Sequence, residues 1–199
     1  MAKNTNSGPT VPFSLNCKGN LIFLDSPKIM GVLNITPDSF YDGGRYKEEK
    51  AVLDQVDKMC TQGATFIDIG ASTGGFTEVL LKNGASKVYC VDVGRDQLHS
   101  TIKENPNVIN LEKTHVRELN SNLIPEPVDG CVIDVSFISL EKILPFIHSF
   151  IKTNGEVVVL VKPQFEVGKE NIGKGGIVKD KKLFPAVIKR IQRVALDNH

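Results

Sequence analysis

The chain lacks most of the features that would assign a class at a glance. Its 199 residues hold four cysteines, Cys17, Cys60, Cys90 and Cys131, with no CxxC pair and no histidine at metal-ligand spacing. A zinc scaffold or disulfide framework is therefore excluded, and the expectation is buried free thiols and no metal site. There is no excess of either charge, with 24 basic against 23 acidic side chains, so any nucleic-acid surface has to be local. No apolar run approaches the roughly 18 residues of a membrane span. The opening MAKNTNSGPT is too polar for a secretory signal. The expectation is a cytoplasmic protein without membrane association. What is present is ordinary for a globular chain, 41% hydrophobic and 24% charged, with room for one sizeable domain or two small ones.

Residues 1–27 are rich in Asn, Ser and Pro around one apolar run, LIFL at 21–24, which predicts a flexible start with a short strand or hairpin. From residue 28 onward, β-branched apolar runs alternate with helical patterns. KIMGVLNI precedes a helix over about 47–62 with Val52, Leu53, Val56, Met59 and Cys60 on one face. Then come strand ATFIDIG, a helix from about 75, strand KVYCVDV, a helix from about 95 and a strand at 107–111. Strand GCVIDVS, a helix at about 140–152 that Pro145 interrupts, strand EVVVLVKP and a closing helix at about 183–195 complete the series. Strict βαβ alternation with continuous apolar strands predicts an α/β fold, a Rossmann-like doubly wound and mostly parallel sheet over residues 28–199.

In such sheets ligands sit beyond the carboxyl ends of the strands. Four segments there carry chemistry. In IDIGASTGGF, residues 67–76, Gly70, Gly74 and Gly75 let a strand turn tightly into a helix whose first amides face a ligand; a plain turn is the alternative. Asp92 ends the next strand, where a carboxylate accepts hydrogen bonds from the ribose hydroxyls of an adenosine-containing cofactor. IDVSFISL at 133–140 and LVKPQFEVGKENIGKGGIV at 160–178 place Asp134 and Lys162 at the edge of adjacent strands. That pair is either a structural ion pair or a general base, Lys162, oriented by Asp134. The GKENIGKGG stretch reads as a substrate-facing loop. Near the C-terminus Lys179, Lys181, Lys182, Lys189, Arg190 and Arg193 meet only Asp180, a cluster that suits a solvated helix face or RNA phosphates.

DIGASTGGFTEVLLKNGASKVYCVDVGRDQL, VIDVSFISL and LVKPQFEVGKENIGKGGIVKD succeed one another over residues 66–182. In that order they closely resemble the TlyA family, also called hemolysins, which are FtsJ-like S-adenosylmethionine-dependent ribosomal RNA ribose 2′-O-methyltransferases. The resemblance implies S-adenosylmethionine bound by Asp68, Gly70, Ala71, Ser72, Gly74 and Phe76, with Asp92 on the ribose. It also implies that Asp134 and Lys162 match two members of a Lys-Asp-Lys-Glu catalytic tetrad, and that ribosomal RNA is the partner. The S4-like RNA-binding domain and first tetrad lysine of that family do not match the segment before residue 66. His199 is reached before the strands that would carry the glutamate. The expectation is thus a cofactor-binding domain, catalytically incomplete.

KIMGVLNITPDSFYDGGRY and GATFIDIGAST, within residues 28–71, resemble something different, the first strand, helix and second strand of dihydropteroate synthase, a TIM barrel. That resemblance implies that Asn34 helps to bind magnesium with a pterin pyrophosphate, in a loop including Asp38, Ser39 and Phe40. The family continues with an STRPG-like loop where this chain reads STGG. The two likenesses meet at IDIGAST, which suggests a chimera joined there, its TIM-barrel-derived segment spanning 28–65 and its truncated methyltransferase-like segment 66–199. In a methyltransferase sheet strand 65–70 is central, so residues 28–35 are expected at the edge beside strand 156–162. Three functional readings stand: a methyltransferase domain, a pterin- or pyrophosphate-binding fragment, and a structural chimera that binds little.

Overall fold

The computed structural model describes residues 63–197, together with the backbone of strands at 13–17 and 20–24. The latter, β1 (Phe13–Cys17) and β2 (Asn20–Leu24), form an antiparallel hairpin with Cys17 opposite Asn20. The LIFL run thus lies in the second arm of a hairpin. The expected elements of residues 28–62, including the helix at 47–62, Asn34 and the edge placement of 28–35, lie outside the described residues.

Five strands, β3 (Thr65–Ile69), β4 (Lys87–Val91), β5 (Val108–Leu111), β6 (Val128–Ile133) and β7 (Ile151–Val159), make a wholly parallel sheet in the order β5-β4-β3-β6-β7. β3 is central, as the methyltransferase resemblance implied. Its sequence, apolar apart from Thr65 and Asp68, follows from burial on both faces. Ile67 and Ile69, with Tyr89, Val91, Cys131, Ile133 and Val159 of neighbouring strands, point into one layer. Phe66, with Val88, Cys90, Val132 and Val158, points into the other. The period of two thus sorts one apolar run into two cores.

The second layer is closed by α1 (Gly75–Lys82) through Leu80 and by the short α2 (Ser100–Lys103) through Ile102. The first layer is closed by α3 (Phe184–Asp197) through Val187 and Ile191, and by the 3-10 turns Leu140–Lys142 and Leu144–Phe146 through Leu140, Ile143 and Leu144. Burial of each such aliphatic side chain contributes roughly 1.5–3 kcal/mol.

Two expected helices are corrected. The helix from about 95 shrinks to the single turn of α2, because Asp96 stands at φ 51, a left-handed conformation that no helix tolerates, and Gly94 is held by the Asp92 side chain. The stretch at 140–152 is no α-helix but three successive 3-10 turns, the last being His148–Phe150, and β7 already begins at Ile151. Pro145 within the second turn has no N–H to continue an α-helical ladder.

The chain builds β3, β4 and β5 outward in one direction, then returns to the other side of β3 for β6 and β7. The reversal lies between β3 and β6. In doubly wound sheets the carboxyl-end crevice in which ligands sit lies at such a reversal.

Leu80 and Leu196 give a direct test of this layering, since Leu80 is fully buried and Leu196 is 64% exposed. Leu80→Ala is expected to lower unfolding free energy by about 2–5 kcal/mol and Leu196→Ala by less than about 0.5 kcal/mol, read as urea midpoints at unchanged slope.

Candidate cofactor and catalytic site

The crevice is lined first by the turn between β3 and α1. Gly70 leaves the strand at φ 80, and a Cβ placed on it would lie 2.4 Å from the Asp134 carbonyl oxygen. Only glycine fits that approach. The Gly70 and Ala71 amides both donate to the Val91 carbonyl, at 2.8 and 3.3 Å, which ties the turn to β4. Ser72 is exposed at φ 48. Gly74, at φ 94, closes the turn through its N–H to the Ala71 carbonyl at 2.8 Å and caps α1, accepting from Glu78 N–H. A side chain there would crowd Leu98 and Ile102. Phe76 packs, half-buried, against the Leu80 layer.

Asp68 sits below this turn, completely buried in β3. Thr77 Oγ1 donates to its Oδ2 at 2.6 Å, and its Oδ1 has no hydrogen-bond partner among the described residues. Burial pushes its carboxyl up to about 7, against the lowering effect of the Thr77 bonds, with the Asp134 and Asp92 carboxylates adding to the rise. A buried carboxylate in want of positive charge thus lies under a glycine turn.

Asp92 comes directly after β4 and is half-buried. Its Oδ2 accepts the Ser72 N–H at 2.9 Å and its Oδ1 the Gly94 N–H at 2.7 Å. The carboxylate therefore braces the glycine turn against the loop after β4, and each oxygen keeps a second lone pair for a hydroxyl.

On the other side of β3, Asp134 comes directly after β6 and donates its N–H to the Ile69 carbonyl at 3.0 Å. Lys162 lies three residues beyond β7. Its Nζ is 2.5 Å from Asp134 Oδ1 and donates to Ser136 Oγ at 3.0 Å. The pair is half-buried at the rim of the crevice. The residues expected to act together are thus brought by the fold to one edge: Asp68, Gly70, Ala71, Ser72, Gly74, Phe76 and Asp92 around β3 and β4, Asp134 and Lys162 around β6 and β7.

Three neighbours lie within the quoted motifs but were not singled out there. Ser136 receives the Lys162 bond. Phe137 is 84% exposed at φ 63, a strained backbone for an aromatic residue, and its ring stands 5.0 Å from that of Phe165. Glu166 is buried with its carboxylate on Ser139 and Leu140. The visible signal for Phe137 was an aromatic close behind a strand-end Asp. Glu166 had no comparable signal, because its partners are distant in sequence. The basic cluster is also subdivided: Arg190 turns inward to Glu141 and Glu166, Lys179 donates to the Glu170 carbonyl, and Lys181, Lys182 and Lys189 stay exposed.

No group of three or more His, Cys, Asp or Glu side chains among the described residues could hold a metal ion. Cys90 and Cys131 are buried free thiols, Cys90 pushed up to about 12 and Cys131 well above its ordinary range, chiefly by burial.

A parallel doubly wound sheet with a glycine turn at its switch point and an acidic residue just after the next strand is a Rossmann-like α/β architecture. The chain belongs to the FtsJ-like methyltransferase family, whose model matches residues 50–199. It is 45% identical over 137 residues to the 16S/23S rRNA (cytidine-2′-O)-methyltransferase TlyA of Mycobacterium tuberculosis, covering 69% of this chain and 51% of that protein. A solved structure assigned as a hemolysin, from Lactococcus lactis, superposes with a TM-score of 0.70 at 38% identity over 75% of this chain and 72% of that one. A shorter likeness, 46% over 55 residues, is to dihydropteroate synthase of Streptococcus pyogenes and covers 28% of this chain and 21% of that enzyme. The chain spans about half the length of the TlyA protein it matches. No helix among the described residues is long and apolar enough to cross a membrane.

The family implies S-adenosylmethionine, and the residues fit it on two counts. The Gly70 turn, where a Cβ would meet the Asp134 carbonyl, keeps its backbone free of a side chain, and the buried Asp68 beneath it holds one carboxyl oxygen, Oδ1, without a partner among the described residues.

Two substitutions test this geometry. Gly70→Ala forces a methyl group against the Asp134 carbonyl at positive φ, and is expected to cost about 2–4 kcal/mol in urea unfolding. For Asp68, the folded carboxyl titrates near 7 against 3.8 in an unperturbed chain, so the folded state holds the extra proton between those values. Stability therefore falls as pH rises through that window and levels off above it. Asp68→Asn, which keeps the Thr77 bond, is expected to gain on the parent by up to about 4 kcal/mol between about pH 4 and pH 8, measured as parallel urea titrations.

Proposed function

We propose that residues 66–199 form the S-adenosylmethionine-binding, catalytic part of a TlyA-type ribosomal RNA ribose 2′-O-methyltransferase. The observation that carries this reading is the Lys162–Asp134 pair standing beyond β6 and β7, on one side of the β3–β6 switch point, with the glycine turn after β3 and Asp92 after β4 on the other. Family membership and the substrate printed in the TlyA relative's name support it.

On this reading, Gly70, Ala71, Ser72, Gly74 and Phe76 shape the cofactor pocket, Asp92 takes the ribose hydroxyls, and Asp68 supplies negative charge beneath them. S-adenosylmethionine, when bound, supplies an electrophilic methyl group. Lys162, in its neutral amine form, takes the proton from the acceptor 2′-hydroxyl and becomes the ammonium, so that the ribose oxygen is free to attack. Asp134 and Ser136 fix Nζ in place, and the carboxylate stabilises the ammonium that forms. The exposed Phe137 ring provides an apolar surface for an acceptor beside that amine. Lys181, Lys182 and Lys189 are available to RNA phosphates.

We further read the chain as composite, with residues 1–27 leading into a 28–199 α/β domain whose first part derives from a dihydropteroate synthase-like segment. The separate 55-residue likeness supports this. The pterin reading, with Asn34 on magnesium pyrophosphate, is the weaker one, since its likeness covers 28% of the chain.

Titration calorimetry of the full chain with S-adenosylmethionine, and with dihydropterin pyrophosphate plus magnesium in parallel, separates the readings. Binding of the first ligand, weakened about tenfold or more by Asp92→Ala, is expected. Lys162→Ala is expected to keep cofactor affinity and lower methyl transfer to ribosomal RNA by about a hundredfold or more. Transfer by Lys162→Ala at the parent's rate overturns the mechanism, and binding of the pterin ligand alone favours the other family.

A further inference from the structure

Backbone pairing between β6 and β7 ends with the Leu160 N–H donating to the Ile133 carbonyl at 2.9 Å, one residue before Asp134 and two before Lys162. Beyond that bond, among the described residues, side chains join the two loops that carry the pair. Glu166 is the one charged residue among the described ones, apart from Asp68, that is buried, its side chain 1% exposed. Its Oε2 accepts from Ser139 Oγ at 2.7 Å and its Oε1 from the Leu140 N–H at 2.8 Å. Arg190 of α3 donates to the Glu166 carbonyl at 2.6 Å and approaches Oε2 at 3.4 Å, while its Nε pairs with Glu141 at 3.0 Å. One carboxylate therefore links the β6 loop, the β7 loop and the closing helix.

The link is stiff at both ends. Glu166 lies one 3-10 turn from Lys162: Phe165 N–H donates to the Lys162 carbonyl at 2.9 Å, and Glu166 N–H to that of Pro163 at 2.9 Å. Ser139 caps the Leu140–Lys142 turn by accepting from Glu141 N–H at 3.2 Å. The Phe137–Phe165 ring contact is a second bridge between the same two loops. Both bridges join the loops just beyond the residues of the pair, after Asp134 on one side and after Lys162 on the other.

We infer that Glu166 is a positioning residue, whose buried carboxylate clamps the β6 and β7 loops together so that Lys162 Nζ is held against Asp134. The inference rests on the proposed role of the pair but not on turnover. A group fixed in this way reaches its acceptor without a further loss of freedom, which is how supporting contacts around a reactive residue accelerate a step. Replacing the carboxylate by an amide sets an NH2 against donors that need an acceptor, which weakens the clamp without emptying the space.

The test is the acetylation rate of Lys162 by acetic anhydride in the full chain, read by mass spectrometry and normalised to Lys87 and Lys152. These are paired with Glu126 and Asp129 at the opposite end of the sheet. Glu166→Gln and Ser139→Ala are each expected to raise the Lys162 rate by about fivefold or more, and Asp134→Asn to do the same, with Lys87 and Lys152 unchanged. S-adenosylmethionine affinity is expected to stay at the parent's value, since the clamp does not touch the glycine turn. Where activity is measurable, kcat falls and the cofactor KM holds. Parent-like Lys162 labelling in Glu166→Gln, or in Ser139→Ala where Glu166→Gln does not fold, overturns the clamp. So does labelling that rises equally at all three lysines, which marks general loosening. Failure of the parent to bind S-adenosylmethionine overturns the function proposed above and leaves the labelling result to decide the clamp.

Discussion

At the carboxyl end of β3 the backbone passes the Asp134 carbonyl so closely that no side chain fits at Gly70, and the layout of the upper edge is set by that approach. The chain must turn there in a left-handed conformation, which only glycine adopts without strain. The turn then hands its amides to Val91 and Asp92, and the Gly74 cap starts α1. Because Asp134 is drawn in by its own N–H to Ile69, the two halves of the edge are registered to one another by backbone alone. The chemistry-bearing side chains are mounted on that registration.

Around it, negative charge is unusually concentrated. Asp68, Asp92 and Asp134 surround the turn, and each meets it differently: Asp68 through burial that pushes its carboxyl up to about 7, Asp92 by taking two backbone N–H groups, and Asp134 by pairing with Lys162. The Asp134 and Asp92 carboxylates add to the rise at Asp68. A cationic ligand would offset that repulsion, in keeping with the sulfonium cofactor of the function proposed above.

Much of this edge was legible in the amino-acid order, for physical reasons that can be named. Strands buried on both faces must be continuously apolar, so ATFIDIG, KVYCVDV and GCVIDVS stood out, and the residues just beyond the carboxyl ends of such strands face the crevice. The misread helices failed for local reasons: the left-handed Asp96 and the Asp92 bond to Gly94 stop one, and Pro145 with the Ser139 cap divides the other into 3-10 turns. Glu166 was invisible, since a glutamate's burial depends on Ser139, Leu140 and Arg190, which only the folded chain gathers. Hydrophobic periodicity reports which face a residue takes, not which distant donor it meets.

The two cores differ in one respect that gives the molecule its own internal reporters. Cys90 lies in the layer under α1 and Cys131 in the layer under α3, so among the described residues a single thiol marks each side of the sheet. Both are held protonated by burial, and a protonated thiol is a poor nucleophile. Reaction of either with a thiol reagent therefore has to wait for its own layer to open, and the two alkylation rates read out, separately, how often the helices on each face lift away from the strands.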